Sequence, residues 1–208
     1  RATNGISTGF GSFNLEQTTN IFAMSGGTIR IYDVCGIAAG EQEAFDVKSS
    51  TSNINVTGGT LEIRPYTGAV LADAGFYYIN TSAPLFNLLI DRASSASVVQ
   101  LNTSQLVVLN DLTLASGDFS ANNLNVTIGG DCSISSVTSY TPGTNTTIFN
   151  GTGDQTFEID LATPLLLNKF SVDKPSGIAL NLAGAQSIIN VADDFTLVTG
   201  TLNDNGKT

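Results

Sequence analysis

Apolar residues recur at every second position in short runs along the chain. Ile29 and Ile31 alternate with Thr28 and Arg30, and Leu61 and Ile63 with Glu62 and Arg64. Leu124, Val126 and Ile128 alternate with Asn125 and Thr127; Phe157, Ile159 and Leu161 with Glu158 and Asp160; Phe170 and Val172 with Ser171 and Asp173. A period of two is that of a strand with one buried face. Gly26-Gly27, Gly58-Gly59, Gly129-Gly130, Pro142-Gly143, Gly151-Thr152-Gly153 and Asn205-Gly206 close the runs, and such tokens mark turns. Helical signal is thin. One short turn is expected over residues 37–45, with Glu41 and Glu43 exposed, while Pro164 and Pro175 bound the leucines at 165–167 too tightly for a helix.

The runs belong to repeats. Ser25-Gly26-Gly27-Thr28-Ile29-Arg30-Ile31 returns as Thr57-Gly58-Gly59-Thr60-Leu61-Glu62-Ile63, an offset of 32 residues, with looser copies at Ser116-Gly117 and Thr199-Gly200. A longer unit pairs Pro84 through Asp91-Arg92 with Pro164 through Asp173-Lys174, offset 82, and residues 111–117 with residues 194–200, offset 83. Periods of this size mark stacked repeats. The expected fold is all-β, a parallel β-solenoid or β-helix whose coils of roughly 20–30 residues stack. Tandem β-sandwich modules are the alternative; a propeller would call for blades of ~40–50 residues. The chain divides into less regular repeats at 1–83, a unit at 84–163 and a truncated second copy at 164–208. In such a stack aliphatic side chains lie over their equivalents, outward Thr and Asn form hydrogen-bonded rows, and Asn and Gly take the left-handed corner positions.

Composition narrows the partners. Apolar residues are 41% and charged residues only 12%, so the polar surface is chiefly Asn, Thr, Ser and Gly. The net charge of −10 and the absence of any Lys/Arg cluster argue against nucleic acid and anionic membrane. No apolar run approaches the ~18 residues of a membrane helix, so membrane insertion is not expected. Cys35 and Cys132 lie 97 residues apart. Several coils would separate them, beyond the ~7 Å Cα limit of a disulfide, so two buried thiols are expected. The first residue, Arg1, and the last, Thr208, read as cuts from a longer polypeptide.

Residues 141–157, from Thr141-Pro142-Gly143 through Ile148-Phe149-Asn150-Gly151-Thr152-Gly153-Asp154-Gln155-Thr156-Phe157, resemble a recurring segment of large repetitive surface proteins of Bacteroidota. Residues 168–177, then Asp194-Phe195-Thr196-Leu197-Val198-Thr199-Gly200-Thr201-Leu202 and Asn205-Gly206-Lys207-Thr208, resemble their next one. Gliding-motility-type adhesins are among those proteins. The resemblance covers residues 85–208 best, and departs from the pattern at Gly130-Asp131-Cys132 and over residues 34–52. It implies type IX export, display at the cell surface, and repeats acting as a stalk or adhesive fibre. Its implied partners are neighbouring repeats of the same polypeptide, surface glycans and the outer-membrane export or anchoring machinery. It carries over no catalytic residue.

The residues themselves offer little chemistry. Without histidine there is no Ser-His-Asp or Cys-His site, and most zinc sites are excluded. No glycine box continues into Gly-Lys-Ser/Thr. Asp193 and Asp194, as strand neighbours, would diverge, and Glu158 and Asp160 would share the solvent face. No cofactor is expected. Asn203, Asp204 and Asn205 before Gly206 form half of an oxygen-rich calcium loop without its distal Glu, and a turn is the simpler reading. In Phe76-Tyr77-Tyr78, alternation places Tyr77 opposite its neighbours; core packing with one surface Tyr is the simpler reading, and Tyr77 is the candidate carbohydrate contact. Asn-x-Ser/Thr triplets begin at Asn55, Asn80, Asn102, Asn125, Asn145 and Asn150, as an Asn/Thr-rich chain produces freely. The expected function is a non-catalytic structural or adhesive segment of a secreted surface protein. A carbohydrate-binding or lyase-like β-helix and a subunit of an extracellular filament are the alternatives.

Overall fold

The computed structural model describes residues 13–32, 42–64, 75–92, 97–136, 138–186 and 188–207. The paired strands run parallel and wind into a β-solenoid with three faces. On the first face, register partners run Thr28, Thr60, Asn87; then Leu88, Leu112, Cys132, Phe157, Leu182; then Leu180 with Leu202. Successive coils therefore take 32, 27, 24, 20, 25, 25 and 22 residues. Their uneven length leaves as loops at the corners, while the strands keep one spacing of about 4.8 Å.

The second face stacks Phe13–Leu15, Gln42–Val47, Gly75–Thr81, Ser97–Leu101, the end of Leu112–Ser120, and Thr138–Thr141. Leu165–Leu167 and Ile189–Val191 pair with each other between the first and third faces of later coils. The third face stacks Leu106–Val108, Val126–Ile128, Thr146–Phe149, Lys169–Asp173 and Phe195–Thr199. Among the described residues the only helical element is a 3-10 turn at Thr51–Asn53, and no helix is long and apolar enough to cross a membrane.

Alternation becomes a core because each inward residue meets its own kind one coil away. Ile31, Ile63, Ile90, Leu114, Ile134 and Ile159 form one continuous row, each at most 4% exposed. Burial of each such side chain contributes ~1.5–3 kcal/mol. On the third face Val108, Ile128, Phe149 and Val172 form another row. Phe149 packs against Phe157 at 4.9 Å and Phe170 at 6.0 Å between ring centroids, joining two faces across the interior.

The fold departs from the sequence reading at two points. The helical turn expected over residues 37–45 falls partly outside the described residues, and its end belongs to the strand Gln42–Val47. Phe45 there stacks on Phe13 at 5.2 Å and meets Phe22 edge-on, an aromatic packing that a one-turn helix would not place in register. The second concerns the long repeat. The 32-residue offset is one full coil, pairing Ile29 with Leu61 and Ile31 with Ile63. The 82-residue offset is not a whole number of coils. Asp91 ends a first-face strand, Asn87–Asp91, whereas Asp173 ends a third-face strand, Lys169–Asp173.

What repeats there is a corner. Register slips between Ile90 and Asp91, so that Asp91 pairs with Ser116, and between Val172 and Asp173, so that Asp173 pairs with Thr199. Arg92 N–H then donates to Ser116 O at 2.9 Å, and Lys174 N–H to Thr199 O at 3.2 Å. Gly117 (φ 84°) and Gly200 (φ 89°) follow in the left-handed region, which favours glycine. A Cβ on Gly117 would lie 2.5 Å from Arg92 O, and one on Gly200 2.7 Å from Lys174 Cβ.

Candidate functional site

At the corner leading onto the first face, short acids and amides cap the next coil. Asn87 Oδ1 accepts from Asp111 N–H (3.1 Å), Asp111 Oδ1 from Asp131 N–H (2.9 Å), and Asp131 Oδ1 from Thr156 N–H (2.7 Å). Asp154 accepts from Ala179 N–H at 2.8 Å in the same way, and past the other end of the same strands Asp160 accepts from Ala185 N–H, also at 2.8 Å. Strand starts leave backbone donors unpaired, and an Asp or Asn one coil earlier supplies the acceptor. On another corner Asn122 (φ 50°) and Asn123 (φ 66°) take left-handed backbone, and Asn123 Oδ1 receives Thr144 N–H at 2.9 Å. At these corners the coil-to-coil bonds run from backbone N–H to Asp and Asn side chains, in place of the expected side-chain rows of Thr and Asn.

Charges on the first face also run from coil to coil. Arg30 Nε donates to Glu62 Oε2, Arg64 Nε reaches the same oxygen at 3.2 Å, and Arg64 Nη1 lies 3.2 Å from Asp91 Oδ2. Ser116 Oγ extends the series to Asp91 Oδ1 at 2.9 Å. The hydrogen bond from Arg30 is the main cause holding the Glu62 carboxyl below its ordinary range, against the opposing effect of burial.

The other candidates distribute as follows. Asn203, Asp204 and Asn205 are exposed, and the two asparagines bond to the preceding coil. Asn203 Nδ2 donates to Asn181 Oδ1 (2.7 Å), Asn205 Nδ2 to Leu182 O (2.8 Å), and Gly206 N–H to Asp204 Oδ1 (3.3 Å). Among the described residues no three acidic or thiol side chains converge as a metal site would need. Asp193 and Asp194 do not diverge. They lie in the turn before Phe195–Thr199 rather than in a strand, and both approach Lys169 Nζ, at 3.4 and 3.9 Å. Glu158 is exposed and accepts from Ser133 Oγ at 3.3 Å.

Tyr77 is the inward member of its triplet, not the outward one. It is 2% exposed, in the row Tyr77, Val99, Phe119, Tyr140, with the Arg92 guanidinium 3.8 Å from its ring centroid. Phe76, 41% exposed and stacked on Tyr78 at 5.6 Å, is the ring at the surface. Alternation separated Tyr77 from its neighbours correctly; its inward neighbours across the sheet decide which side is buried. Cys132 is a buried free thiol, with burial pushing its pKa up, and Cys35 lies outside the described residues.

The interior holds polar groups that the sequence reading did not single out. Arg92 is fully buried, with Nη1 directed at Tyr32 O (3.4 Å) and Arg64 O (3.3 Å). Lys174, 1% exposed, donates from Nζ to Gly151 O (3.1 Å) and Gln155 Oε1 (2.5 Å). Gln155, 2% exposed, donates from Nε2 to Ile128 O (3.1 Å) and to Gly130 O, while its Oε1 also receives Gly151 N–H at 3.0 Å. Nearby, Tyr140 Oη contacts Thr147 Oγ1 (3.0 Å) and Asn145 Nδ2 (3.1 Å), and burial pushes its pKa up to about 12. The signal for the two cations was in the repeat: each follows the matched aspartate directly, in Ile90-Asp91-Arg92 and Val172-Asp173-Lys174. Compared with known families, curated proteins and solved structures, the chain matches none.

Proposed function

We propose that this chain is a non-catalytic structural or adhesive segment of a large secreted, surface-displayed protein, as its resemblance to Bacteroidota surface repeats implies. One observation carries the reading. Four acids spaced along the stack, Asp111, Asp131, Asp154 and Asp160, each accept a backbone N–H of the following coil. A segment that extends and presents needs coils locked to one another, and that is where these polar groups are engaged. Neighbouring repeats of the same polypeptide are its natural partners, and multiple weak contacts along the faces would give adhesion by avidity.

A second reading, carbohydrate contact, is favoured by the exposed Phe76 ring beside Tyr78. Its row on the second face continues through Val98, Asp118 and Ser139, a mixed surface on which a sugar could stack and hydrogen-bond. A screen of neutral and acidic polysaccharides for binding and for turnover tests both. No depolymerisation is expected, and any binding is lost in Phe76→Ala. Chain cleavage abolished by Glu158→Gln or Asp193→Asn would overturn the non-catalytic reading.

A further inference from the structure

The two repeated corners place a buried cation at equivalent positions, but the groups around them differ in kind. Arg92 faces the backbone carbonyls of Tyr32 and Arg64 and the ring of Tyr77. Lys174 faces a side-chain carboxamide, an acyl group that an amine can attack. Nζ lies 2.5 Å from Gln155 Oε1, and a carbonyl carbon is only about 1.2 Å from its oxygen. A small rotation of the lysine therefore carries its nitrogen from the oxygen to Cδ.

The surroundings suit that attack. Gly151 N–H donates to Oε1 at 3.0 Å, on the atom where negative charge would develop, as an oxyanion donor does. The departing nitrogen, Nε2, is held by Ile128 O at 3.1 Å and by Gly130 O, which fixes the plane of the amide. Both side chains are at most 2% exposed, so water competes poorly. Burial holds the Lys174 amine below the ordinary lysine range, against the pull of the Asp154 and Asp131 charges, which raises the share of the neutral nucleophile. Fixed proximity of this kind can replace a large part of an activation barrier.

We infer that Lys174 and Gln155 are a self-modification site, forming an intramolecular isopeptide bond that staples neighbouring coils. The Nζ–Cδ bond forms and the Cδ–Nε2 bond breaks. A proton lost by the attacking amine goes to the departing nitrogen, which leaves as ammonia. No oxidant or co-reactant is consumed. The product amide keeps its oxygen within reach of Gly151 N–H and removes a charge from the interior.

Intact mass and peptide mapping of the purified chain test this. The expected mass is one ammonia below that of the sequence, with a branched peptide joining the segments that carry Gln155 and Lys174, and Lys174→Met restores the full mass. Asn4-Gly5, Asn150-Gly151 and Asn205-Gly206 can also lose ammonia, by cyclisation to a succinimide, but that product reopens in mild base and maps to asparagine. A full-length mass with both residues unmodified would overturn the inference, as would an ammonia deficit confined to those asparagines or one that survives in Lys174→Met. The wild-type peptide map decides without the variant, so a substituted chain that fails to fold leaves the test intact.

Discussion

Glu62 shows how one side chain ties three coils together through its neighbours. It receives Arg30 from the preceding coil and Arg64 from its own strand end, and Arg64 in turn reaches Asp91 in the following coil. Arg30 is an exposed partner, so solvent and salt screen much of the gain, and the contribution is small. Its direction is nevertheless fixed. The folded carboxyl titrates below its ordinary value of 4.5, so the unfolded chain takes up the proton first as acid is added. The stabilisation is therefore complete above the ordinary carboxylate range and disappears as pH falls through the lower, folded value. Glu62→Gln is expected to lower the thermal midpoint slightly at neutral pH, with the gap to wild type closing in acid. Thermal unfolding followed across that range checks it, and a gap independent of pH would show that the charge is not responsible.

At the scale of strands and corners, coil-to-coil contact decides which glycines are replaceable. A Cβ on Gly129 would stand 2.3 Å from Leu109 O in the coil below, a backbone atom that cannot swing aside. A Cβ on Gly153 would meet nothing within 4 Å, and Gly153 is not among the glycines with positive φ. Gly129→Ala is thus expected to cost ~1–3 kcal/mol through overpacking, and Gly153→Ala to be neutral or to stabilise by ~0.4–1 kcal/mol by restricting the unfolded chain. Chemical denaturation of the two variants separates them; equal effects would mean the coils do not approach as closely as described. The sequence marked both glycines as corners without distinguishing them, because inter-coil distance is not a local property. The same limit explains the other partial readings. Period-two alternation at Ile29–Ile31, Leu61–Ile63 and Phe170–Val172 transferred directly to inward rows, since a strand's two faces are written in its own residues. Which side of its strand Tyr77 turned inward depended on its neighbours across the sheet, and onto which face Asp173 fell depended on how many residues each intervening coil contained. The interior pair Lys174 and Gln155 was visible only as a recurring cation after a recurring aspartate, because its meaning comes from Gly151 and Gly130, which the fold brings beside it.

For the whole molecule, stacking makes stability nearly one-dimensional: each coil is held by the coils on either side, and an end coil by one. The consequence is readable along the third face. Phe170 and Val172 are 3% and 0% exposed, whereas their partners in the last strand, Phe195 and Leu197, are 49% and 47% exposed, and Val198 is 55% exposed. Those side chains lie against the stack on one side and open to solvent on the other, so opening the last strand uncovers much less apolar surface than opening an inner one. In a chain of these 208 residues alone, amide hydrogen exchange is therefore expected to be graded by position. Phe195–Thr199 and Thr201–Asn203 should exchange first, by local opening, while Val126–Ile128 and Cys132–Ile134, covered above and below, should exchange only near the global limit. A partner that seats on the open edge, whether a further coil or another molecule, would slow the outer amides selectively and leave the inner ones unchanged. Uniform exchange across all coils would mean that the stack opens as a single unit, and the nearest-neighbour account of how its rows of Ile, Leu and Phe hold it together would fail.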